Sequence, residues 1–227
     1  MISISQIFII IIGLSLTGCT GKSSVAAKST PIIAAAPEVI TFRSLSRLSL
    51  IGDFNGDGNM DTLQEHCISV KTGHEIDSFP ENNRDTLANY FHELQSKVFI
   101  SSSLPGIKPL PLSEDGFSIG LFCLINMGNI DKKKGDEIAL VVDYPDYSSL
   151  NTCRIFSLRN DHWQEIGAFN VFEGAFQYLG EEPRFDSIPK FLERKKGVWY
   201  YSDYLKNDGF MELTRLDLDS IRIPDVH

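Results

Sequence analysis

Gly52-Asp53-Phe54-Asn55-Gly56-Asp57-Gly58-Asn59-Met60-Asp61 puts oxygen-bearing side chains at alternate positions, Asp53, Asn55 and Asp57, and adds a carboxylate at Asp61. Spacing of this kind wraps a short loop around a hard cation. Ca2+ takes about six to eight oxygens at roughly 2.3–2.6 Å, and a side chain every second residue supplies most of them. Asn-Gly and Asp-Gly are also strong turn dipeptides. A plain turn, however, has no use for Asp53 and Asp61. Without a cation, carboxylates confined to one small loop repel one another. The stretch therefore reads as a calcium loop.

The flanks decide which fold carries it. In a helix–loop–helix site the twelfth loop position is a bidentate Glu. Counted from Asp53 that position is Gln64, and Glu65 comes one residue late. Ahead of the loop, Leu45-Ser46-Arg47-Leu48-Ser49-Leu50-Ile51 ends in apolar/polar alternation. Behind it, Thr62 to Val70 is rich in β-formers, with alternation at Ile68 and Val70. Both flanks read as strands. The segment resembles the calcium loop of FG-GAP (VCBS-type) repeats, the units that build integrin-type β-propellers. By that resemblance Asp53, Asn55, Asp57 and Asp61 supply side-chain oxygens. Asn59 supplies its backbone carbonyl, and Gly58 permits the sharp turn.

A second stretch, Met127 to Val141, aligns with the first. Gly128 matches Gly52, Asn129 matches Asp53, Asp131 matches Asn55 and Glu137 matches Asp61. Gly135-Asp136-Glu137-Ile138-Ala139-Leu140 resembles the usual ending of an FG-GAP loop. Lys133 and Lys134 replace Asp57 and Gly58. An ammonium in the middle of a cation site opposes binding. This loop is expected to keep its shape and lose its metal, with one of its lysines paired to Asp131 or Glu137 as an internal cation. A third stretch, Lys206 to Leu213, lacks the early acidic positions. It reads as a hairpin turn at Asn207-Asp208-Gly209.

The body of the chain is strand after strand with turn punctuation. Ile119–Ile125 and Ile138–Tyr144 are buried apolar runs. Arg154–Leu158 and Trp163–Phe169 form a hairpin over a polar turn. Val198–Tyr201 and Phe210–Leu218 form another. One helix is predicted where Leu87, Tyr90, Phe91 and Leu94 recur at helical spacing, with Asp85 as N-cap. Leu104–Pro111, with three prolines, reads as extended loop. The expected fold is mainly β, with antiparallel sheets in a partial or degenerate propeller-like or sandwich-like arrangement and one short helix. A full propeller needs more four-stranded blades than this length holds.

The N-terminus reads as a signal. Ile7–Ile12 is an apolar core too short for a comfortable membrane span. It leads into Leu16-Thr17-Gly18-Cys19, which resembles the lipobox of bacterial lipoproteins, although no Lys or Arg precedes the core. The resemblance implies residues 1–18 as a signal peptide and Cys19 as the lipid attachment site, anchoring the chain in a membrane without spanning it. Residues 19–37, rich in Ser, Ala, Lys and Pro, read as a tether, and residues 38–227 as one β-rich domain. Thr20 rather than Asp follows Cys19, which by analogy with well-studied Gram-negative bacteria points to the outer membrane of the cell envelope.

Net charge is -9, and no basic patch with interleaved aromatics appears, so nucleic acid is not an expected partner. An envelope protein or glycan is. Cys67, Cys123 and Cys153 show no metal-ligand spacing and fall in apolar runs. They read as free buried thiols or as one disulfide plus a thiol. The five histidines show no zinc spacing, and no nucleophile elbow or P-loop occurs. Asp143, Tyr144 and Asp146 read as a polar loop, and Tyr144, Tyr147, Tyr200, Tyr201 and Tyr204 as core or cross-strand residues. The expectation is a non-catalytic binding or structural module stiffened by Ca2+. The alternative is an envelope hydrolase whose catalytic residues are not recognisable in sequence.

Overall fold

Ile138-Ala139-Leu140-Val141-Val142 is apolar at every position, and the computed structural model explains why. Ile138, Leu140 and Val142 enter one hydrophobic core, with Leu63, Val98, Ile100, Leu124 and Phe156. Ala139 and Val141 enter a second, with Cys123, Ile125, Cys153, Ile155, Phe169, Leu192 and Trp199. Successive side chains of a strand face opposite ways, so a strand buried on both sides loses its alternation. The sheet that carries this run is the middle of three layers.

The structure describes residues 40–81, 84–113, 118–145, 148–177, 186–206 and 212–218. All lie within Val39–His227, which forms one compact unit. The signal, Cys19 and the tether lie outside the described residues. In chain order the elements are β1 (Phe42–Ser44), β2 (Ser49–Gly52), β3 (Asp61–Ser69), β4 (Ser78–Pro80), α1 (Arg84–Leu94), β5 (Ser96–Ser102), β6 (Leu110–Pro111), β7 (Gly120–Gly128), β8 (Glu137–Asp143), β9 (Leu150–Arg159), β10 (His162–Phe172), α2 (Gly174–Gln177), β11 (Leu192–Lys195), β12 (Val198–Tyr201) and β13 (Thr214–Arg215). The fold is mainly β, with antiparallel sheets and, among the described residues, no closed barrel.

Two of the sheets share one plan. The first has strand order β2-β3-β5-β6 and the second β7-β8-β9-β10; both are four-stranded antiparallel meanders, the first with β4 and α1 inserted between β3 and β5. A three-stranded sheet, β11-β12-β13, covers the far face of the second, and β1 pairs with β4. The β9–β10 hairpin turns at Asn160 and Asp161, both in the left-handed region at φ 48° and 64°. A two-residue turn of that hand matches the twist of its strands. The turn between β11 and β12 falls at Lys196-Gly197, also with positive φ.

A buried ion pair joins the first two sheets. Glu65 of β3 accepts the Leu48 amide at 2.8 Å and the Leu121 amide at 3.0 Å. Arg47 bonds Glu65 at 3.4 Å and the carbonyls of Ile76 and Ile119 at 2.5 and 3.1 Å. Burial pushes the Glu65 carboxyl up, against the Leu48 amide and the Arg47 charge, which pull it down.

Four expectations about the fold need correction. The helix begins at Arg84, so Asp85 lies in its first turn, where a carboxylate complements the helix dipole. Leu110–Pro111 is a short edge strand paired with Phe99 and Ile100, and an edge is where a sheet tolerates proline. A second helix, the four-residue α2, has too little length for periodicity to reveal it. Of the predicted strand at Phe210–Leu218, the described residues form strand only at Thr214–Arg215. Asn207-Asp208-Gly209, Asp146 and Tyr147 lie outside the described residues.

Candidate metal centre

In both meanders the loop joins the first strand to the second, so β2-loop-β3 and β7-loop-β8 occupy equivalent places. Their hydrogen bonds correspond. Asp61 Oδ2 accepts the Phe54 amide at 3.0 Å, and Glu137 Oε2 accepts the Ile130 amide at 2.7 Å. Asn55 Oδ1 accepts the Asp57 amide at 2.9 Å, and Asp131 Oδ1 accepts the Lys133 amide at 2.8 Å. The backbone is left-handed at Gly56 (φ 66°) and at its counterpart Lys132 (φ 59°). A non-glycine residue there costs on the order of 1–2 kcal/mol, which the bonds at Glu137 and Asp131 help to offset. Beyond this point the loops diverge. The next left-handed residue is Gly58 in the first and Gly135, one place later, in the second.

The first loop is folded over its own side chains. Asp53 accepts the amides of Asp57 (3.0 Å) and Gly58 (2.9 Å), and Asp57 accepts the amide of Asn59 (2.8 Å) and the side chain of Asn55 (3.0 Å). Phe54 is fully buried and lies edge-on to Trp163, ring centroids 6.3 Å apart. Asp61 is buried, whereas Asp57 is exposed. The Asn59 amide, then the Asn55 side chain, holds the Asp57 carboxyl below its ordinary value, so it stays charged. Among the described residues no three His, Cys, Asp or Glu side chains are grouped as ligands of one ion. The donor chemistry nevertheless fits a hard cation, because every candidate group is an oxygen and each hydrogen-bonded oxygen keeps a lone pair. No basic side chain forms an ion pair with Asp53, Asp57 or Asp61 among the described residues; Lys134 acts on Asp57 only at longer range.

The second loop differs at this point. Arg159, at the end of β9, bonds Asp131, Glu137 Oε1 (3.3 Å) and the Lys134 carbonyl (2.9 Å). Ser157, two residues earlier on the same strand face, donates to Glu137 Oε1 at 2.8 Å. Asn129 donates to the Lys133 carbonyl. Burial pushes the Glu137 carboxyl up, while Ser157 and the amides of Asp131 and Ile130 pull it down. The predicted lysine plays a lesser part: Lys133 Nζ stands 3.8 Å from Asp131 and is mostly exposed. The internal cation is chiefly an arginine from the neighbouring hairpin, which counting along the loop does not reach. In the first sheet, Ser103–Gly106 follow the corresponding strand, and none of them is charged.

The loops also touch. The Asp136 amide donates to the Asp53 carbonyl at 2.9 Å, and the Asp53 amide donates to Asp136 Oδ2 at 3.2 Å. Asn126 Nδ2 bridges Asp136 Oδ2 and the Ile51 carbonyl, each at 3.1 Å. A Cβ on Gly135 would overlap the Phe54 carbonyl oxygen.

A separate constellation lies on the outer side of the first sheet. His66 Nδ1 is 2.6 Å from Glu75 Oε1, and His66 Nε2 is 2.8 Å from Ser101 Oγ. With Nδ1–H donated to the carboxylate, Nε2 accepts from the serine hydroxyl. The ring stacks on Phe99, centroids 4.8 Å apart, and Glu75 is steadied by the Cys67 amide at 3.1 Å. The β3–β5 register brings His66 and Ser101 together, the turn after β3 returns Glu75 to the ring, and no sequence spacing announces them. Cys67, Cys123 and Cys153 are free and buried. Tyr201 packs on Phe169 and Tyr204 on Phe172, as core residues do. No family model, curated protein or solved structure matches the chain.

Proposed function

We propose that the chain is an exported, lipid-anchored module of the FG-GAP type, in which Ca2+ at the first loop stiffens a β-rich surface that binds or scaffolds rather than catalyses. One observation carries the reading. Two loops in equivalent places carry acidic groups at matching positions; the Arg159 guanidinium bonds two of them in the second, while among the described residues no basic side chain forms an ion pair with Asp53, Asp57 or Asp61 of the first. Asp53, Asn55, Asp57 and Asp61, with the Asn59 carbonyl, would hold the ion, which supplies charge neutralisation and cross-linking of β2 to β3. Cys19 carries the lipid, and the partner is a protein or glycan of the cell envelope, at the outer membrane. Calorimetric titration and thermal melting of the protein in calcium and in chelator test the calcium part. Equal melting temperatures and no heat of binding would sink it.

A second reading, an envelope hydrolase, is favoured by Ser101, His66 and Glu75, whose spacing suits a nucleophile, its base and the group that orients the base. It ranks lower because Ser101 sits within a regular strand on a half-exposed sheet face. Covalent labelling by a fluorophosphonate, lost in Ser101→Ala, would promote it; no labelling removes it.

A further inference from the structure

We infer that Arg159 is a built-in cation for the second loop and, acting through Asp136, a positioning residue for Ca2+ at the first. The inference rests on the reading of the first loop as a calcium site.

Asp131 is 9% and Glu137 0% exposed, so two carboxylates meet where water screens them little. Acidic groups so placed need a partner or they drive the loop apart. The guanidinium bonds both and reaches the Lys134 carbonyl of the same loop. The Ser157 hydroxyl fills a further acceptor site on Glu137. The loop is therefore closed by a charge that is part of the chain and cannot dissociate.

That closure fixes the stretch from Lys134 to Glu137, and Asp136 lies inside it. Its carboxylate holds the Asp53 amide, and its own amide holds the Asp53 carbonyl. Asp53 is the first ligand position of the neighbouring loop. Asn126 clamps the same carboxylate from β7. A loop whose first ligand is already held loses less freedom when an ion arrives. Groups that orient metal ligands without touching the metal commonly set its affinity.

The test is calcium titration of the full-length protein in detergent, by calorimetry and by tryptophan emission, since Trp163 packs against Phe54. Arg159→Met and Asp136→Ala should each weaken calcium binding by about 10–100-fold. Arg159→Lys should restore part of the loss. A purely structural role would lower the melting temperature in calcium and in chelator alike and leave the dissociation constant unchanged; that result overturns the inference. If Arg159→Met does not fold, Asp136→Ala decides the matter, and unchanged affinity in it is again an overturning result. Unaltered protein that takes no calcium fails differently, because it removes the underlying reading before any variant is compared.

Discussion

Asp61 and Glu137 hold the same place in two loops: each carboxylate takes the backbone N–H of the residue seven positions before it, Phe54 at 3.0 Å and Ile130 at 2.7 Å. Each begins the second strand of a four-stranded meander. What separates the loops is the charge between those carboxylates and the rest of the loop.

Asp57→Ala removes an exposed carboxylate at the middle of the first loop. In chelator the melting temperature should barely change. In calcium at one hundred times its dissociation constant, the unaltered protein gains about 2.7 kcal/mol, or roughly 5–10 °C at this chain length. The variant should lose that gain, as scanning calorimetry in the two buffers would record.

Lys133→Asp by itself should leave the second loop without calcium, because Arg159 still bonds Asp131 and Glu137. Combined with Arg159→Ala it should add a second site. Calorimetric stoichiometry distinguishes the cases, and a second site in the single variant would show that the arginine does not fill the position.

Gly135→Ala and Gly58→Ala both place a Cβ on a left-handed residue, at φ 94° and 88°. The first also collides with the Phe54 carbonyl, whereas nothing lies within 4 Å of the second. Gly58→Ala should cost on the order of 1–2 kcal/mol. Gly135→Ala should cost more and disturb the paired loops, seen as a lower denaturation midpoint and altered tryptophan emission.

Burial raises the thiol of Cys67 to about 11 and that of Cys123 to about 12, and pushes Cys153 well above its ordinary value. These folded-state values exceed the unfolded value of about 8.5. Their contribution to stability is therefore complete below that pH. It is lost as pH rises through the folded values, because only the unfolded chain releases the protons early. Denaturation midpoints should fall above about pH 9, and less so when the three cysteines are replaced by alanine or valine. At pH 8 a thiol reagent should modify the three only after unfolding.

Cys19→Ser should move the protein from the membrane fraction to the soluble fraction. Retention in the membrane would contradict the lipobox reading.

The strands were legible wherever one face is wet or a run is fully apolar, as at Ile138–Val142. The first loop's turn was legible because its Asp, Asn and Gly pattern is local. The second loop was legible as a shape, since Asn129, Asp131 and Glu137 keep their offsets. Its true counter-charge was not, because Arg159 arrives from a strand 22 residues beyond Glu137. Glu65 was hidden for a similar reason. It falls on the inward phase of β3, and Arg47 with the amides of Leu48, just before β2, and Leu121 of β7 makes that burial tolerable. The Ser101–His66–Glu75 contact depends on strand register, which no single segment encodes.

The contact between Asp53 and Asp136 spans 83 residues, whereas the strands paired within each sheet lie closer together in sequence. Closing a long loop is entropically slow, and local pairings form first. The pairings within each sheet are the more local ones, and the contact between the loops needs both sheets to be in place. If the loops meet late in folding, variants at Asp53–Asp136 should speed unfolding far more than they slow refolding, as stopped-flow kinetics would record.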